Sequence, residues 1–221
     1  VTTLDERAAR HAALGDPVRL AIVDELALAD RAPIELRRRL GLESNLLAHH
    51  LDVLESVGLV QRSRSSGDGR RRYVHLVRHE LDGMSAWPRL RAGRALFVCT
   101  RNSARSQLAA ALWREITSSP ATSAGTHPAD EVHPGARAAA QRHGLELGDA
   151  RPRLLGSLSR APAIVVTVCD QAHEVLDAPD HWLHWSVPDP VQVGTRSAFD
   201  ATVDELRDRI LTIVETGSPA P

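Results

Sequence analysis

One stretch limits the fold of this 221-residue chain more than any other. The apolar run Ala95-Leu-Phe-Val98 leads into Cys99-Thr-Arg-Asn-Ser-Ala-Arg105-Ser106, and a helical pattern follows from Ser106 to about Thr117. Further on, Ala163-Ile-Val-Val-Thr-Val168 reads as a second buried strand and Thr202 to Thr216 as a closing helix. Strands alternating with helices imply a parallel sheet covered on both faces. From residue 94 to 221 the chain is therefore expected to be an α/β domain with a parallel sheet and a phosphate-binding loop.

The loop residues themselves suit oxyanion chemistry. A thiol nucleophile needs its anion stabilised, and a helix N-terminus does that. The backbone N–H groups of Thr100, Arg101, Asn102, Ser103 and Ala104 can curl into a nest around a tetrahedral oxyanion. Arg105 offers a planar fork for two of its oxygens. Ser106 can donate a hydrogen bond to the thiolate and ease its later departure. Cys and Arg at this spacing are weak evidence alone, because all 27 basic residues are Arg. The setting between strand and helix, and the Ser after Arg105, make the pattern specific.

Two further groups belong to the same reading. Asp189-Pro190, inside His184-Trp-Ser-Val-Pro-Asp-Pro190, places a carboxyl on a loop that can hand a proton to a leaving oxygen. Cys169 follows the second strand. If the two strands are parallel, Cys99 and Cys169 emerge at one sheet edge, where open α/β sheets bind ligands. A second thiol there suits redox work; Cys is also often simply a small buried residue. The pattern leaves both open.

Residues 1–80 differ in kind. They read as helices followed by a short hairpin, mostly α with a β-wing. Leu20, Val23, Leu26 and Leu28 lie near helical spacing after Gly15-Asp16-Pro17. A short helix over Pro33–Leu40 stops at Gly41, and another runs from Ser44, its expected N-cap, to about Val57 before Gly58. Leu59-Val60 and Arg72-Tyr-Val-His-Leu76 then flank a polar turn, a hairpin signal. Two helices across a tight turn and a basic hairpin are what a winged helix-turn-helix needs. Leu47, Leu51 and Leu54 would face the core, leaving Ser44, Asn45, Ala48 and His49 for base edges or phosphates. Arg62, Arg64, Arg70, Arg71 and Arg72 on the wing would meet the DNA backbone. Residues 81–93 are expected to be a linker.

Composition narrows the remaining classes. The net charge is −1, so any nucleic-acid signal must be local. Two cysteines are too few for a disulfide scaffold or an all-cysteine zinc site. No apolar run reaches the length of a membrane span, and no charged-then-apolar leader pattern opens the chain. The expectation is a cytoplasmic protein with no membrane partner and no bound cofactor. His75, His79 and Glu80 are the only metal candidates near the wing, and no metal site is expected from them.

Two resemblances add to this. Leu14-Gly-Asp-Pro-Val-Arg-Leu20 and the stretch from Pro33 to Val60, which contains Leu40-Gly-Leu-Glu-Ser44 and His49-His-Leu51 and closes on Gly58-Leu-Val60, resemble the ArsR family of repressors over residues 5–78. That resemblance implies a homodimer on palindromic operator DNA. Arsenite-sensing members carry cysteines in this domain, whereas residues 1–98 contain none. Residues 94–221 resemble the low-molecular-weight protein-tyrosine phosphatase superfamily, and within it the arsenate reductases, whose loop reads Cys-Thr-x-Asn-Ser-x-Arg-Ser-Gln. Ser123-Ala-Gly-Thr126, Val166-Thr-Val-Cys-Asp170 and His184-Trp185 match as well.

By that second resemblance Cys99 is the nucleophile, Arg105 and the loop bind arsenate or phosphate, Asn102 orients the loop, and Asp189 is the general acid. Cys169 corresponds to the first resolving cysteine of thioredoxin-coupled members. Val191-Gln192 stand where phosphotyrosine-specific members have aromatics, which argues against aryl substrates. No third cysteine follows Cys169. A reductase cycle would thus need an external thiol: glutathione, mycothiol or a redoxin. The readings in play are an arsenic-response regulator with a reductase domain, a regulator whose phosphatase-like domain only senses an oxyanion, and a phosphatase.

Overall fold

The computed structural model describes residues 3–81, 90–156 and 162–214. The chain forms two compact units whose main boundary falls between residues 88 and 89.

The first unit opens with α1 (Leu4–Leu14), held by a capping box between Thr3 and Glu6. Helix α2 (Pro17–Leu28) starts behind Asp16, whose carboxylate accepts from the N–H groups of Val18 (2.9 Å) and Arg19 (3.0 Å). Helix α3 (Pro33–Leu40) stops at Gly41, which takes the left-handed conformation, φ 64°, that a glycine adopts without strain. Then come α4 (Ser44–Ser56), β1 (Val60–Arg64) and β2 (Arg72–Leu76), and a short 3-10 turn over Arg78–Leu81. The strands pair antiparallel, from Val60 opposite Leu76 to Arg64 opposite Arg72. Ile22, Val23, Leu26, Leu36, Leu47, Leu51 and Leu54 form the core with Leu59 and Val60.

Three sequence expectations change here. Leu20 is 39% exposed, so it leaves the apolar stripe of α2. Ser44 is not the N-cap of α4. Glu43 holds the extended capping conformation, and the Ser44 hydroxyl accepts instead from Arg37 (3.0 Å). Of the expected linker, residues 82–89 lie outside the described residues, and its two ends belong to folded units. Leu81 is buried in the first core. Leu90 bridges to Val214, and the Gly93 carbonyl accepts from the Trp113 indole (3.1 Å).

The second unit runs β3 (Ala95–Cys99), α5 (Arg105–Thr117), β4 (Ala121–Gly125), α6 (Pro134–Arg142), β5 (Ile164–Thr167), α7 (Asp170–Val175), β6 (Leu183–His184), α8 (Pro190–Val193) and α9 (Arg196–Ile213). The sheet order is β4-β3-β5-β6, with every neighbouring pair parallel. β3 is buried along its whole length, as an inner parallel strand must be. Helix α5 is buried from Arg105 through Trp113, packing on β3, β4 and α9. Phe97 packs at a tilt against Trp113 and Trp185, with ring centroids 5.8 and 6.0 Å away. The closing helix starts earlier than its apolar pattern suggests. Thr195 caps it by accepting from the Ala198 N–H (3.3 Å), while the Thr202 hydroxyl turns back onto the Ala198 carbonyl inside the helix. No helix among the described residues is long and apolar enough to cross a membrane.

Candidate active site

Strand β3 delivers Cys99 to the C-terminal edge of the sheet, and α5 begins six residues later. What lies between is fixed from outside. The carbonyls of Cys99, Thr100, Arg101 and Ser103 accept, in turn, from the backbone N–H groups of Thr126, His127, Ala129 and His133, at 2.9–3.2 Å. A planar trans peptide directs its N–H opposite to its carbonyl. Carbonyls pulled outward therefore leave the N–H groups of Thr100, Arg101, Asn102 and Ala104 facing the inside of the loop. One is already spoken for: the Asn102 N–H donates to the Cys99 Sγ (3.2 Å).

Asn102 carries much of this geometry. It is fully buried, with φ 47°, a region where asparagine is among the few tolerated side chains. Its Nδ2 donates to the Ser106 Oγ (2.8 Å), and its Oδ1 accepts from the Arg153 N–H (2.8 Å) and the Gln107 amide (3.3 Å). Ser106 Oγ then sits 3.0 Å from the Cys99 Sγ. The Asn102 N–H and the Ser106 hydroxyl thus flank the sulfur on two sides. Gly125 makes the close approach possible. A Cβ there would stand 2.7 Å from the Thr100 carbonyl oxygen.

Arg105 opens α5 with its side chain 9% exposed. Its guanidinium donates to the Val187 carbonyl (2.9 Å) and to the Asp189 carboxylate (2.8 Å). The other Asp189 oxygen accepts from the Val191 N–H (3.0 Å) at the start of α8. The Arg105 fork, expected to hold an oxyanion, is closed on the candidate acid. Cys99, Arg105 and Asp189 line a cleft of about 520 Å³ together with Arg101, Asp130, Glu131, His133 and Val191. Ser103 and Ala104 complete the lining on the loop side.

Cys169 reaches the same sheet edge, since β5 runs parallel to β3 with Thr167 beside Val98. It is 1% exposed and does not line the cleft. Its Sγ lies 3.3 Å from the Thr100 hydroxyl and accepts from the Ala172 N–H (3.3 Å). Burial pushes this thiol up, against the pull of the Arg105 charge. Cys169 is thus both beside the loop and buried. His184 is not a cleft group. It lies under the sheet edge, bonded to Thr167 (2.9 Å), paired with Asp170 (3.3 Å) and stacked on His173.

Sequence reasoning missed His133. Its signal was the dipeptide His133-Pro134 ahead of an Ala-rich run, a capping position before a proline at N1.

In the first unit, Ser44, Asn45, Ala48 and His49 are exposed on α4, opposite buried Leu47, Leu51 and Leu54. Arg64, Arg70, Arg71 and Arg72 are exposed on the hairpin. Arg62 is half-buried and pairs with Asp52 (2.7 Å) and Glu55 (3.0 Å), so carboxylates of α4 meet its charge. His75 bonds to Asp30 (3.1 Å) and Ser63 (2.6 Å), and His79 pairs with Glu80 (3.5 Å). Among the described residues no group of three or more His, Cys, Asp or Glu could hold a metal ion.

Comparison with known proteins bears on the second unit. The sequence profile of the family described as low molecular weight phosphotyrosine protein phosphatase matches residues 94–216. An arsenate reductase of Bacillus cereus (strain Q1) is 34% identical over 128 residues, which span 55% of this chain and 93% of that protein. An arsenate reductase of Brevibacillus brevis (strain 47) is 33% identical with the same coverage. The solved arsenate reductase from Archaeoglobus fulgidus DSM 4304 is 27% identical, with a TM-score of 0.47 over 53% of this chain and 98% of that one.

Proposed function

The chain belongs, through residues 94–216, to the low molecular weight phosphotyrosine protein phosphatase family, and on that premise we propose that its second unit is a thiol-dependent arsenate reductase. The observation that carries the reading is the cradle itself: Cys99 Sγ between the Asn102 N–H and Ser106 Oγ, with Arg105 where the loop enters α5. The arsenate reductases that share a third of the aligned residues support the choice of oxyanion.

In this reading arsenate binds to the inward N–H groups and takes the Arg105 fork from Asp189. Released from that pair, the Asp189 carboxylate takes up the Cys99 thiol proton and passes it to the leaving oxygen as the sulfur attacks arsenic; a sulfur–arsenic bond forms, an arsenic–oxygen bond breaks and water departs. An external thiol of the glutathione, mycothiol or redoxin class then attacks the Cys99 sulfur. The sulfur–arsenic bond breaks with its electron pair on arsenic, and arsenite and a mixed disulfide result. A second thiol equivalent restores Cys99. Cys169 is the alternative resolving thiol; its burial makes it the slower one.

The first unit, residues 1–80, is proposed to be an ArsR-type winged helix-turn-helix that binds duplex operator DNA as a homodimer. Helix α4 with Ser44, Asn45, Ala48 and His49 would enter the major groove. Arg64, Arg70, Arg71 and Arg72 would touch the backbone. Arg62 would act on DNA only by leaving Asp52 and Glu55, so its part is smaller than its position suggests.

The test is turnover of arsenate with glutathione, mycothiol and a thioredoxin system, beside hydrolysis of an aryl phosphate. Arsenite release with at least one donor supports the reductase. Hydrolysis of the aryl phosphate with no arsenite release would replace it by the phosphatase. A cleft of about 520 Å³ has room for an ester, which is why both arms are needed.

A further inference from the structure

We propose that His133 is part of the oxyanion site: its Nε2–H donates to the bound anion from the wall of the cleft. This rests on the oxyanion reading given above. The residue is held at three points, two of them on the imidazole. Its Nδ1 accepts from the Gly135 N–H (3.1 Å). Its ring stacks on Phe199, with centroids 5.2 Å apart and planes 17° apart. Its backbone N–H donates to the Ser103 carbonyl of the cradle (2.9 Å). Gly135 allows the stack, because a Cβ there would overlap the Phe199 ring.

The first contact decides the tautomer. A neutral imidazole carries one proton, and a nitrogen that accepts cannot hold it. The Nδ1 that receives the Gly135 N–H therefore leaves the proton on Nε2. One edge of the ring faces Gly135 and one face lies on Phe199. His133 lines the cleft together with Cys99, Arg105 and Asp189, and the ring edge not bonded to Gly135 is the one that carries the Nε2–H. A donor held rigidly at the wall of an anion site loses little entropy when the anion arrives. His133 would thus add one side-chain donor to the loop N–H groups and Arg105.

A capping role alone would also explain the Gly135 contact, and the experiment separates the two. Asn at 133 keeps an acceptor for the Gly135 N–H and is a strong N-cap, but it ends short of Nε2. The readout is phosphate protection of Cys99 against iodoacetamide, with the thermal midpoint measured alongside. For His133→Asn we expect a near-native midpoint and phosphate affinity about 10–150-fold weaker, the scale of one hydrogen bond to a charged group. His133→Ala should lose both affinity and stability. Native phosphate affinity in His133→Asn overturns the proposal and leaves His133 as a cap. Should phosphate fail to protect the wild type itself, the oxyanion reading falls first, and the two failures are told apart.

Discussion

The two units present their chemistry in opposite ways. In the second, the groups around Cys99 are buried and each is aimed by a partner: Asn102 by Arg153 and Gln107, Ser106 by Asn102, Arg105 by Asp189. In the first, Ser44, Asn45, Ala48 and His49 stand exposed on α4, and Arg71 and Arg72 stand exposed on the hairpin. A cradle that acts on a small anion has to be preorganised, because misplacing its donors costs rate. A surface that meets a long polyanion can rely on summed charge and on side chains that settle as it docks. The contrast predicts steep single-residue effects in the second unit and shallow, additive ones in the first.

The largest effect tests the cradle at its centre. Cys99→Ser keeps the shape of the loop and removes the sulfur. Arsenate turnover is expected to fall roughly 10⁴-fold or more. Phosphate should still bind, read as a rise in thermal midpoint with phosphate. A variant that retains turnover within about tenfold would move the nucleophile elsewhere.

How much of this was legible beforehand follows from the same contrast. The loop from Cys99 to Ser106 could be read because its residue types are demanded by chemistry and stand side by side in sequence. The parallel sheet could be read because β3 and β5 are short apolar runs. β4 could not: Ala121-Thr-Ser-Ala-Gly125 has small side chains and little period, and its place comes from pairing with β3. Helix α6 is hidden likewise by its alanines. The closure of Arg105 on Asp189 joins residues 84 positions apart, so no local pattern could report it. Arg62 looked like any other wing arginine until α4 brought Asp52 and Glu55 beside it.

The next effect breaks the Arg105–Asp189 closure. Asp189→Asn removes both the proton donor and the carboxylate that occupies the fork. Turnover should drop by about 10²–10⁴-fold. Phosphate affinity should rise at the same time, by roughly 3–10-fold, because the anion no longer displaces a charged partner. Asp130→Asn, on the same cleft wall, is the control for charge alone. Equal gains in affinity from the two variants would reduce the closure to a general field effect.

The first unit should respond more gently. Replacing Arg70, Arg71 and Arg72 with Ala is expected to weaken binding to all duplex sequences alike. It should also lower the salt slope by about 0.9 for each phosphate that the variant no longer neutralises. Asn45→Ala and His49→Ala should instead change which sequences are preferred, at about 1–3 kcal/mol per base read. Adding Arg62→Ala to the triple variant should cost little further, since its charge is already met within the unit. An unchanged salt slope in the triple variant would take the hairpin off the DNA.

The smallest expected effect asks whether the two chemistries communicate. Residues 1–98 hold no cysteine, so a thiol-directed arsenic signal can arrive only at Cys99 or Cys169. An oxyanion or a Cys99 adduct shifts operator affinity only as far as it binds the DNA-competent and DNA-incompetent states of the chain unequally. A coupling of about 1–2 kcal/mol corresponds to roughly 5–30-fold in operator affinity. Linkage then requires operator DNA to change phosphate affinity at Cys99 by the same factor, and this second measurement checks the first. Operator titrations with and without saturating phosphate, arsenate or arsenite should therefore be paired with phosphate protection of Cys99 with and without operator. Cys99→Ser should retain any shift caused by phosphate and lose any shift that depends on an adduct. Equal operator affinity in every condition would mean that the anion cradle and the proposed DNA surface share a chain without sharing a signal.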